Sequence, residues 1–264
     1  MTMNYSPENM MPNVAPEMLK LESAAECLLP MGETSERVVD AYKVARAEQD
    51  AFAASSHAKA VNAQKNGWFE GEIHAVRTKD GAVVNKDDGV REGTSAESLA
   101  KLKPAFRENG TTTAGNASQV SDGAAAVLLM KRSTADSLGL RPIGKFVGFA
   151  TVGVPPGVMG IGPAYAIPLV LKKAGLGKDQ VDIYEINEAF ASQAVYCVKK
   201  LGLAGDRVNP VGGAIAFGHP LGATGARMVA TVLNQLQRRN ERVGVVSMCI
   251  GTGMGAAAII EREF

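Results

Sequence analysis

The chain has 264 residues, of which 28 are Lys or Arg and 27 are Asp or Glu, and 46% of its residues are hydrophobic. This apolar content and the formal net charge of +1 exclude a disordered chain, and they exclude a protein that binds nucleic acid through excess positive charge alone. The length suffices for one large domain or two ordinary domains, each with a full core.

The first 112 residues are acidic and poor in glycine, with 17 acidic residues, 13 basic residues and 7 glycines. Their hydrophobic periodicity and breaker residues predict helices from 34 to 44, over 46–66 and over 95–103, and short strands over 72–77 and 82–84. The second helix is expected to end at Gly67, because glycine is the residue that most often terminates a helix.

The remaining residues are basic and rich in glycine, and in them strand and helix patterns alternate. The pattern predicts strands over 124–130, 145–154, 181–186, 243–248 and 256–261, and helices over 163–173, 188–201 and 224–239. Such alternation is typical of an α/β fold in which helices cover a layered sheet.

The positions of cysteine and histidine, the proline and glycine content of the uncharged stretches, and the first and last residues exclude several classes of protein. Three scattered cysteines, Cys27, Cys197 and Cys249, cannot form a disulfide framework, and neither they nor the three histidines have the spacing of metal ligands, so no metal site is expected. The uncharged stretches 146–171 and 243–260 contain too much proline and glycine for membrane-spanning helices. The first five residues show no signal-peptide pattern, and the chain does not end in Ser-Lys-Leu.

One segment with unusual chemistry is 209–227, which places five glycines around His219. Glycines let a backbone approach a ligand closely, and Pro220 restricts the histidine before it to an extended conformation. A histidine held in this way ahead of a helix suits proton transfer or donation to an oxyanion. The alternative is a structural loop in which the histidine is incidental.

A second segment, 247–255, delivers Cys249 from a strand into a turn with glycines at alternate positions, beginning with Gly251. A thiol at such a turn is able to meet a substrate, and the neighbouring N–H groups are able to face a developing negative charge. The alternative is a buried cysteine beside a hairpin. A dinucleotide-binding fingerprint is excluded, because no helix follows the glycines before the chain ends.

The third segment, 185–190, reads Glu-Ile-Asn-Glu-Ala-Phe and contains Asn187 at a predicted strand-to-helix junction. The carboxyl ends of strands are where α/β sheets usually build their sites. The alternative role of Asn187 is to cap the helix that follows.

Together these three segments, and also 111–126 and 152–163, resemble the thiolase family, in particular the 3-ketoacyl-CoA thiolases of fatty-acid β-oxidation. The resemblance extends over essentially the whole chain. It implies that His219 activates a nucleophilic thiol and helps to hold the thioester oxygen, and that Cys249 moves a proton on the α-carbon of the substrate. It also implies that Asn187 holds a water in the oxyanion hole and that Gly251 offers its N–H to a second hole.

The resemblance further implies that coenzyme A is a co-substrate rather than a permanently bound cofactor. Arg91 and Ser98 would lie along its nucleotide part, and Ala114 and Ser118 along its pantetheine arm. Met31 would line the acyl pocket. Thiolases specific for acetoacetyl-CoA typically have His-Met-Gly here, whereas this chain has Pro-Met-Gly, which favours the degradative branch with broad chain-length range.

The family's nucleophilic cysteine lies in an N-terminal domain, in a Cys-Ser-Ser-Gly or similar turn that this sequence does not contain. The resemblance therefore predicts an incomplete thiolase: a loop domain over 1–112, the end of the N-terminal domain over 113–135 and a C-terminal domain of βαβαββ type over 136–264. Of the family's five layers, one sheet would be mostly absent, which leaves an exposed apolar surface.

Two alternatives to an incomplete acyltransferase stay open. One is a catalytically inactive protein that binds acyl-CoA or a partner; the other is a thioesterase-like reaction with Cys249 as nucleophile. The family resemblance implies acyl-CoA and coenzyme A as ligands and a homo-oligomer for full-length members, with no nucleic-acid or membrane partner. It implies the peroxisome as the compartment, with mitochondrion and cytoplasm as alternatives.

Overall fold

The computed structural model describes residues 14–263, so the predictions on the first five residues and on Phe264 lie outside it. Its first part is helical and contains one small hairpin. The elements are α1 Pro16–Lys20, α2 Glu22–Ala25, α3 Met31–Tyr42, α4 Arg46–Lys65, β1 Val76–Arg77, β2 Val83–Val84 and α5 Ala96–Ala100. The second part contains α6 Arg132–Ser137, β3 Gly144–Gly153, α7 Gly162–Ala174, β4 Ile183–Ile186, α8 Ala191–Leu201, α9 Ala214–Phe217, α10 Thr224–Arg239, β5 Val243–Ile250 and β6 Met254–Arg262.

The four longer strands form one mixed sheet in the order β3-β6-β5-β4. β6 pairs antiparallel with both β3 and β5, whereas β4 pairs parallel with β5. The parallel pair needs a long crossover, which α8, α9 and α10 supply. The predicted α/β class and the βαβαββ succession of the C-terminal part agree with this arrangement.

Helices cover both faces of this sheet because its strands are apolar on both sides. Ile183 and Ile260 pack with Val232 and Leu236 of α10 on one face. Their chain neighbours Tyr184 and Ile259 face the other side of the sheet. There they pack, together with their register partner Val245 of β5, against α7 residues such as Ile167 and Val170. The alternation of side chains along each strand therefore separates the two core clusters.

The helical part packs on the sheet layer through α3, α4 and α8. Val38 of α3 is fully buried in one cluster with Ile161, Val195 and Tyr196. The buried carboxylate of Glu36 accepts hydrogen bonds from the backbone N–H groups of Thr111 and Thr112. This contact attaches the start of the 111–119 segment to α3, and the hydrogen bond from Ser118 to Ala189 attaches its other end beside β4.

Several predicted elements are confirmed and others need correction. α4 ends before Gly67, which has a φ of +67°, and α10 has its predicted limits. The predicted strand over 124–130 is wrong, because no described segment pairs with it. The helix predicted from 188 begins at Ala191, and the strand predicted over 72–77 shrinks to Val76–Arg77. α3 begins at Met31, just after Pro30, which is three residues before the predicted start.

The unpaired segment leaves apolar side chains in solvent. Leu128 and Leu129 are 80% and 73% exposed, and Phe146 and Phe149 on β3 are about half exposed. A cavity of about 880 Å³ opens between residues 126–146 and α10. An exposed apolar surface of this kind is the feature that the family resemblance predicts. None of the helices within 14–263 combines the length and the apolar character needed to cross a membrane.

Candidate active site

The predicted site residue Asn187 lies at the carboxyl end of β4, beside β5. Ile186 and Ser247 are register partners in the parallel pair, and the Asn187 N–H donates to the Ser247 carbonyl oxygen at 2.9 Å. Asn187 is 1% exposed. The alternative role as a helix cap is wrong, because the residue at the cap position of α8 is Phe190.

His219 is brought to Asn187 by the loop between α9 and α10. The distance from Asn187 Nδ2 to His219 Nε2 is 3.2 Å, and the His219 N–H donates to the Gln119 carbonyl oxygen at 3.0 Å. Gly218, just before the histidine, has a φ of +89°, and a Cβ there would collide with the Ser121 hydroxyl. The glycine-rich loop is therefore needed for the position of His219.

The imidazole of His219 is neutral at physiological pH. Burial, which is the larger cause, and the positive charge of Arg227 together lower its pKa to about 4. Its other ring nitrogen, Nδ1, lies 2.7 Å from the hydroxyl of Thr224, the first residue of α10. A neutral imidazole keeps one unprotonated nitrogen, so His219 is able to accept a proton.

Cys249 lies on β5, two residues after Ser247, and pairs with Gly255 of β6. Part of the residue is accessible, but its side chain packs against Met159, Phe190 and neighbouring alanines, and its Sγ lies 3.8 Å from Gln193 Oε1. This burial raises the pKa of the thiol to about 12. The sulfur therefore holds its proton at neutral pH, which fits an acid better than a free nucleophile.

Met31 lies beside the turn that follows Cys249. Thr252 and Gly253 have φ values of +69° and +97°, which close the turn between β5 and β6. A Cβ on Gly251 would lie 3.9 Å from the sulfur of Met31. Met31, at the start of α3, thus reaches the Gly251 turn from the helical part of the chain.

Two of the four residues expected along coenzyme A lie on the 111–119 segment. Ser118 donates its N–H to the Ala189 carbonyl oxygen at 2.9 Å, which places it beside the Asn187 junction. Ala114 is exposed in the turn that Thr113 and Asn116 form. The structure therefore brings Ser118 to the candidate catalytic residues, whereas Ala114 lies farther along the segment.

The other two, Arg91 and Ser98, are exposed, and their hydrogen bonds join them to α4 and to the start of α5. The Arg91 N–H donates to His57 Nδ1 at 3.2 Å, which holds this loop on α4. The Ser98 hydroxyl donates to the Ser95 carbonyl oxygen at 2.8 Å and accepts from the Ser95 N–H, so it caps α5. Contact with coenzyme A stays a prediction for all four residues and for Met31.

The sequence analysis missed a buried carboxylate next to Asn187. Glu188 is 1% exposed and accepts hydrogen bonds from the Ser56 hydroxyl at 2.6 Å, the Asn209 amide at 2.7 Å and the Ile215 N–H at 3.2 Å. It therefore joins α4 and α9 to the Asn187 junction. The available signal was an acidic residue inside an otherwise apolar junction, since buried charges require partners.

Within residues 14–263 no three His, Cys, Asp or Glu side chains are grouped in a way that could hold a metal ion. The cavity of about 880 Å³ described above is lined by none of the nine predicted site residues. The candidate chemical groups near the ends of β4 and β5 are the imidazole of His219, the thiol of Cys249 and the amide of Asn187.

Two models of known protein families match this chain. The family model of the thiolase N-terminal domain matches residues 3–133, and the model of the thiolase C-terminal domain matches residues 140–262. The first of these includes both the segment that we assigned to a loop domain and residues 113–135. The division within residues 1–135 stays a prediction.

Individual relatives are similar over nearly the whole chain. The peroxisomal 3-ketoacyl-CoA thiolase B of Mus musculus is 59% identical over 258 residues, which cover 94% of this chain and 61% of the relative. The peroxisomal 3-ketoacyl-CoA thiolase of Saccharomyces cerevisiae is 54% identical and is covered to 63%. The crystal structure of the dimeric peroxisomal thiolase of Saccharomyces cerevisiae superimposes with a TM-score of 0.93, over 98% of this chain and 65% of that chain.

The chain thus spans about three fifths of the length of the curated relatives that it matches. The two domain models together leave only residues 134–139 between them unmatched, and the His219, Cys249 and Asn187 segments all lie within the C-terminal match. The chain belongs to the thiolase family and is a homologue of the peroxisomal 3-ketoacyl-CoA thiolases.

Proposed function

We propose that this chain carries the proton-transferring half of a 3-ketoacyl-CoA thiolase, an acyltransferase that cleaves 3-ketoacyl-CoA with coenzyme A in fatty-acid β-oxidation. The observation that supports this most is the contact between Asn187 Nδ2 and His219 Nε2 at 3.2 Å, at the carboxyl end of the strand next to the one that carries Cys249. A neutral base and a protonated thiol at neighbouring strand ends are the two groups that such a reaction requires.

In the proposed reaction, a thiolate attacks the 3-keto carbon, and the bond between C2 and C3 breaks. The electron pair of that bond passes to C2, where the Cys249 thiol delivers its proton and releases acetyl-CoA. Coenzyme A then takes the acyl group from the nucleophile, which gives the shortened acyl-CoA. His219 accepts the proton of the first attacking thiol, and the Cys249 thiolate left after C2 is protonated accepts the proton of coenzyme A. The nucleophile then leaves as a thiolate and takes its proton back from His219, while Asn187 and the Gly251 N–H stabilise the negative oxygens.

No cysteine of this sequence is assigned the role of that nucleophile. Cys197 is fully buried, and burial raises the pKa of its thiol further than that of Cys249. Cys27 faces the Ser23 and Thr252 carbonyl oxygens. We therefore propose that this chain alone binds acyl-CoA and moves protons at C2, and that thiolysis requires a cysteine from outside the sequence.

The further assignments also rest on the relatives. We propose coenzyme A as co-substrate, with Arg91, Ser98, Ala114 and Ser118 along it and with Met31 at the acyl group. The peroxisome is the proposed compartment, because the relatives named above are peroxisomal. A homo-oligomer is proposed by analogy with the dimeric thiolase of Saccharomyces cerevisiae.

The test is proton exchange at C2, which does not need the nucleophile. In it the thiolate form of Cys249 removes a proton from C2, exchanges that proton with solvent and returns a deuteron. Purified protein is incubated with acetyl-CoA in deuterated water, and deuterium in the acetyl group is measured by mass spectrometry. We expect exchange that falls at least about 100-fold in Cys249→Ala, since this is the usual effect of losing an acid or base. The matched control is Cys27→Ala, which should exchange as the parent does.

The same preparation separates the alternatives. Binding of coenzyme A without exchange would favour a catalytically inactive binding protein and would contradict the proposal. Thiolysis of acetoacetyl-CoA by this chain alone would overturn the assignment of the nucleophile to a segment outside it. A label from acyl-CoA on Cys249 would instead support the thioesterase-like reaction.

A further inference from the structure

Thr224 holds the side of His219 that faces away from Asn187. It is the first residue of α10 and is 1% exposed. Its hydroxyl oxygen lies 2.7 Å from His219 Nδ1 and 3.0 Å from the carbonyl oxygen of Pro220. The hydroxyl therefore stands between one ring nitrogen and one backbone acceptor.

The protons in this chain of contacts can be counted. A hydroxyl has one proton, which Thr224 donates to the Pro220 carbonyl oxygen, so its own oxygen is left to accept from Nδ1. On the other side of the ring, the Asn187 amide nitrogen has protons and no lone pair, so Nε2 accepts from it. Both contacts place the ring proton on Nδ1.

Placing the ring proton on Nε2 instead would leave more buried polar groups without a hydrogen-bond partner. If Nε2 carried the proton, the Asn187 amide would have to turn its oxygen towards the ring and its NH₂ group to the place where Oδ1 now lies. That place is buried and offers no partner to Oδ1 in the structure. Two unpaired N–H donors would then replace one unpaired acceptor, and the Thr224 hydroxyl would give up its bond to Pro220.

We propose that Thr224 is a positioning residue that fixes His219 as the Nδ1–H tautomer. The lone pair of Nε2 then faces the Asn187 side of the site and accepts the Asn187 N–H, and a thiol that replaces the amide as its partner is able to give it a proton. The catalytic use of this tautomer rests on the proposed function, whereas the tautomer itself does not. A histidine with the proton on Nε2 would be unable to act as the base at that position.

The tautomer is measured directly by NMR of the full chain labelled with ¹⁵N-histidine, near pH 7. The chain has three histidines, so the spectrum is simple, and His219→Gln assigns the signals. We expect a protonated Nδ1 and an unprotonated Nε2 for His219. His57 is an internal reference of the opposite kind, because its Nδ1 accepts the Arg91 N–H at 3.2 Å. A protonated Nε2 on His219 would overturn the proposal.

Two variants test the role of the hydroxyl. Thr224→Ser keeps it and should preserve the single tautomer, whereas Thr224→Val keeps the shape and should give signals averaged between both tautomers. Unchanged His57 signals and an unchanged thermal unfolding midpoint would show that Thr224→Val is folded. A single Nδ1–H tautomer in folded Thr224→Val would show that the threonine does not set it.

Exchange at C2 distinguishes failure of the tautomer from failure of the proposed function, because the proposed function assigns that exchange to Cys249. If the parent has the Nδ1–H tautomer but shows no exchange, the proposed function fails while the positioning of His219 stands. If exchange is present and folded Thr224→Val keeps the single Nδ1–H tautomer, the positioning role is refuted alone.

Discussion

Replacing Glu72 by glutamine is expected to remove a pH-dependent loss of stability. Glu72 lies after α4, and its Oε1 accepts a hydrogen bond from Thr231 of α10 at 3.1 Å, while its Oε2 is buried without a partner. Burial raises the pKa of this carboxyl to about 7. Its ordinary pKa of 4.5 applies to the unfolded chain.

The direction of the pH dependence follows from which state, folded or unfolded, binds the proton of Glu72. Between pH 4.5 and 7 the folded chain keeps a proton on Glu72 that the unfolded chain has lost, so the free energy of unfolding falls as the pH rises through this window. A shift from 4.5 to about 7 corresponds to a loss of about 3 kcal/mol at pH 8. Glutamine resembles the protonated acid and does not ionise, so Glu72→Gln escapes this loss.

The assay is urea unfolding of the parent and of Glu72→Gln at several values between pH 5 and pH 8.5. We expect similar stabilities near pH 5 and a variant more stable by up to about 3 kcal/mol at pH 8. The exposed neighbour Glu70 provides the control, because Glu70→Gln should follow the parent at every pH. Parallel curves for the parent and Glu72→Gln would refute the reasoning. Glu185, with its pKa raised to about 8 by burial, leaves a residual slope in both proteins.

Three further changes have defined outcomes. Leu236→Ala removes a fully buried side chain and should lower the free energy of unfolding by about 2–5 kcal/mol in urea melts, whereas the exposed Gln237→Ala should change it little. Gly253 has a φ of +97°, and a Cβ there would collide with the Val154 carbonyl oxygen, so Gly253→Ala should lower the free energy of unfolding by more than about 1 kcal/mol. The control is Gly205→Ala, where an added Cβ meets no atom within 4 Å and the free energy of unfolding should change little. Alkylation near pH 7.5, followed by peptide mass spectrometry, should modify Cys27 well before Cys249, because burial raises the pKa of Cys249 to about 12; equal rates would contradict the buried position of that thiol.

The local backbone features around the candidate site were predictable from the sequence, whereas several of the neighbouring elements were not. Glycine at a positive φ before His219 and alternation along β4 and β5 are local features, and local features can be recognised in one sequence. The limits of α10 were predictable for the same reason, since its apolar face has a regular helical period. These elements needed no knowledge of their partners.

The segment over 124–130 shows the opposite case. Its composition is that of a strand, but a strand forms only where another segment pairs with its backbone, and residues 14–263 provide none for it. The ion pair between Arg227 and Glu185, at 3.2 Å, was equally beyond a single sequence, because it joins residues 42 positions apart. Contacts that depend on tertiary pairing leave no local pattern.

The contacts of α10 show why the site depends on residues that lie far from it. One side of the helix carries Thr224, Arg227 and Thr231, which contact His219, Glu185 and Glu72 in turn. The other side carries Val232 and Leu236, which are fully buried against the sheet. Because the helix is a rigid rod over these turns, packing against the sheet determines where the Thr224 hydroxyl lies. A cavity at Leu236 is therefore expected to loosen the hydrogen bond to His219 as well as to lower stability, whereas a change at Thr224 acts on the two contacts of its own hydroxyl, with His219 and with Pro220.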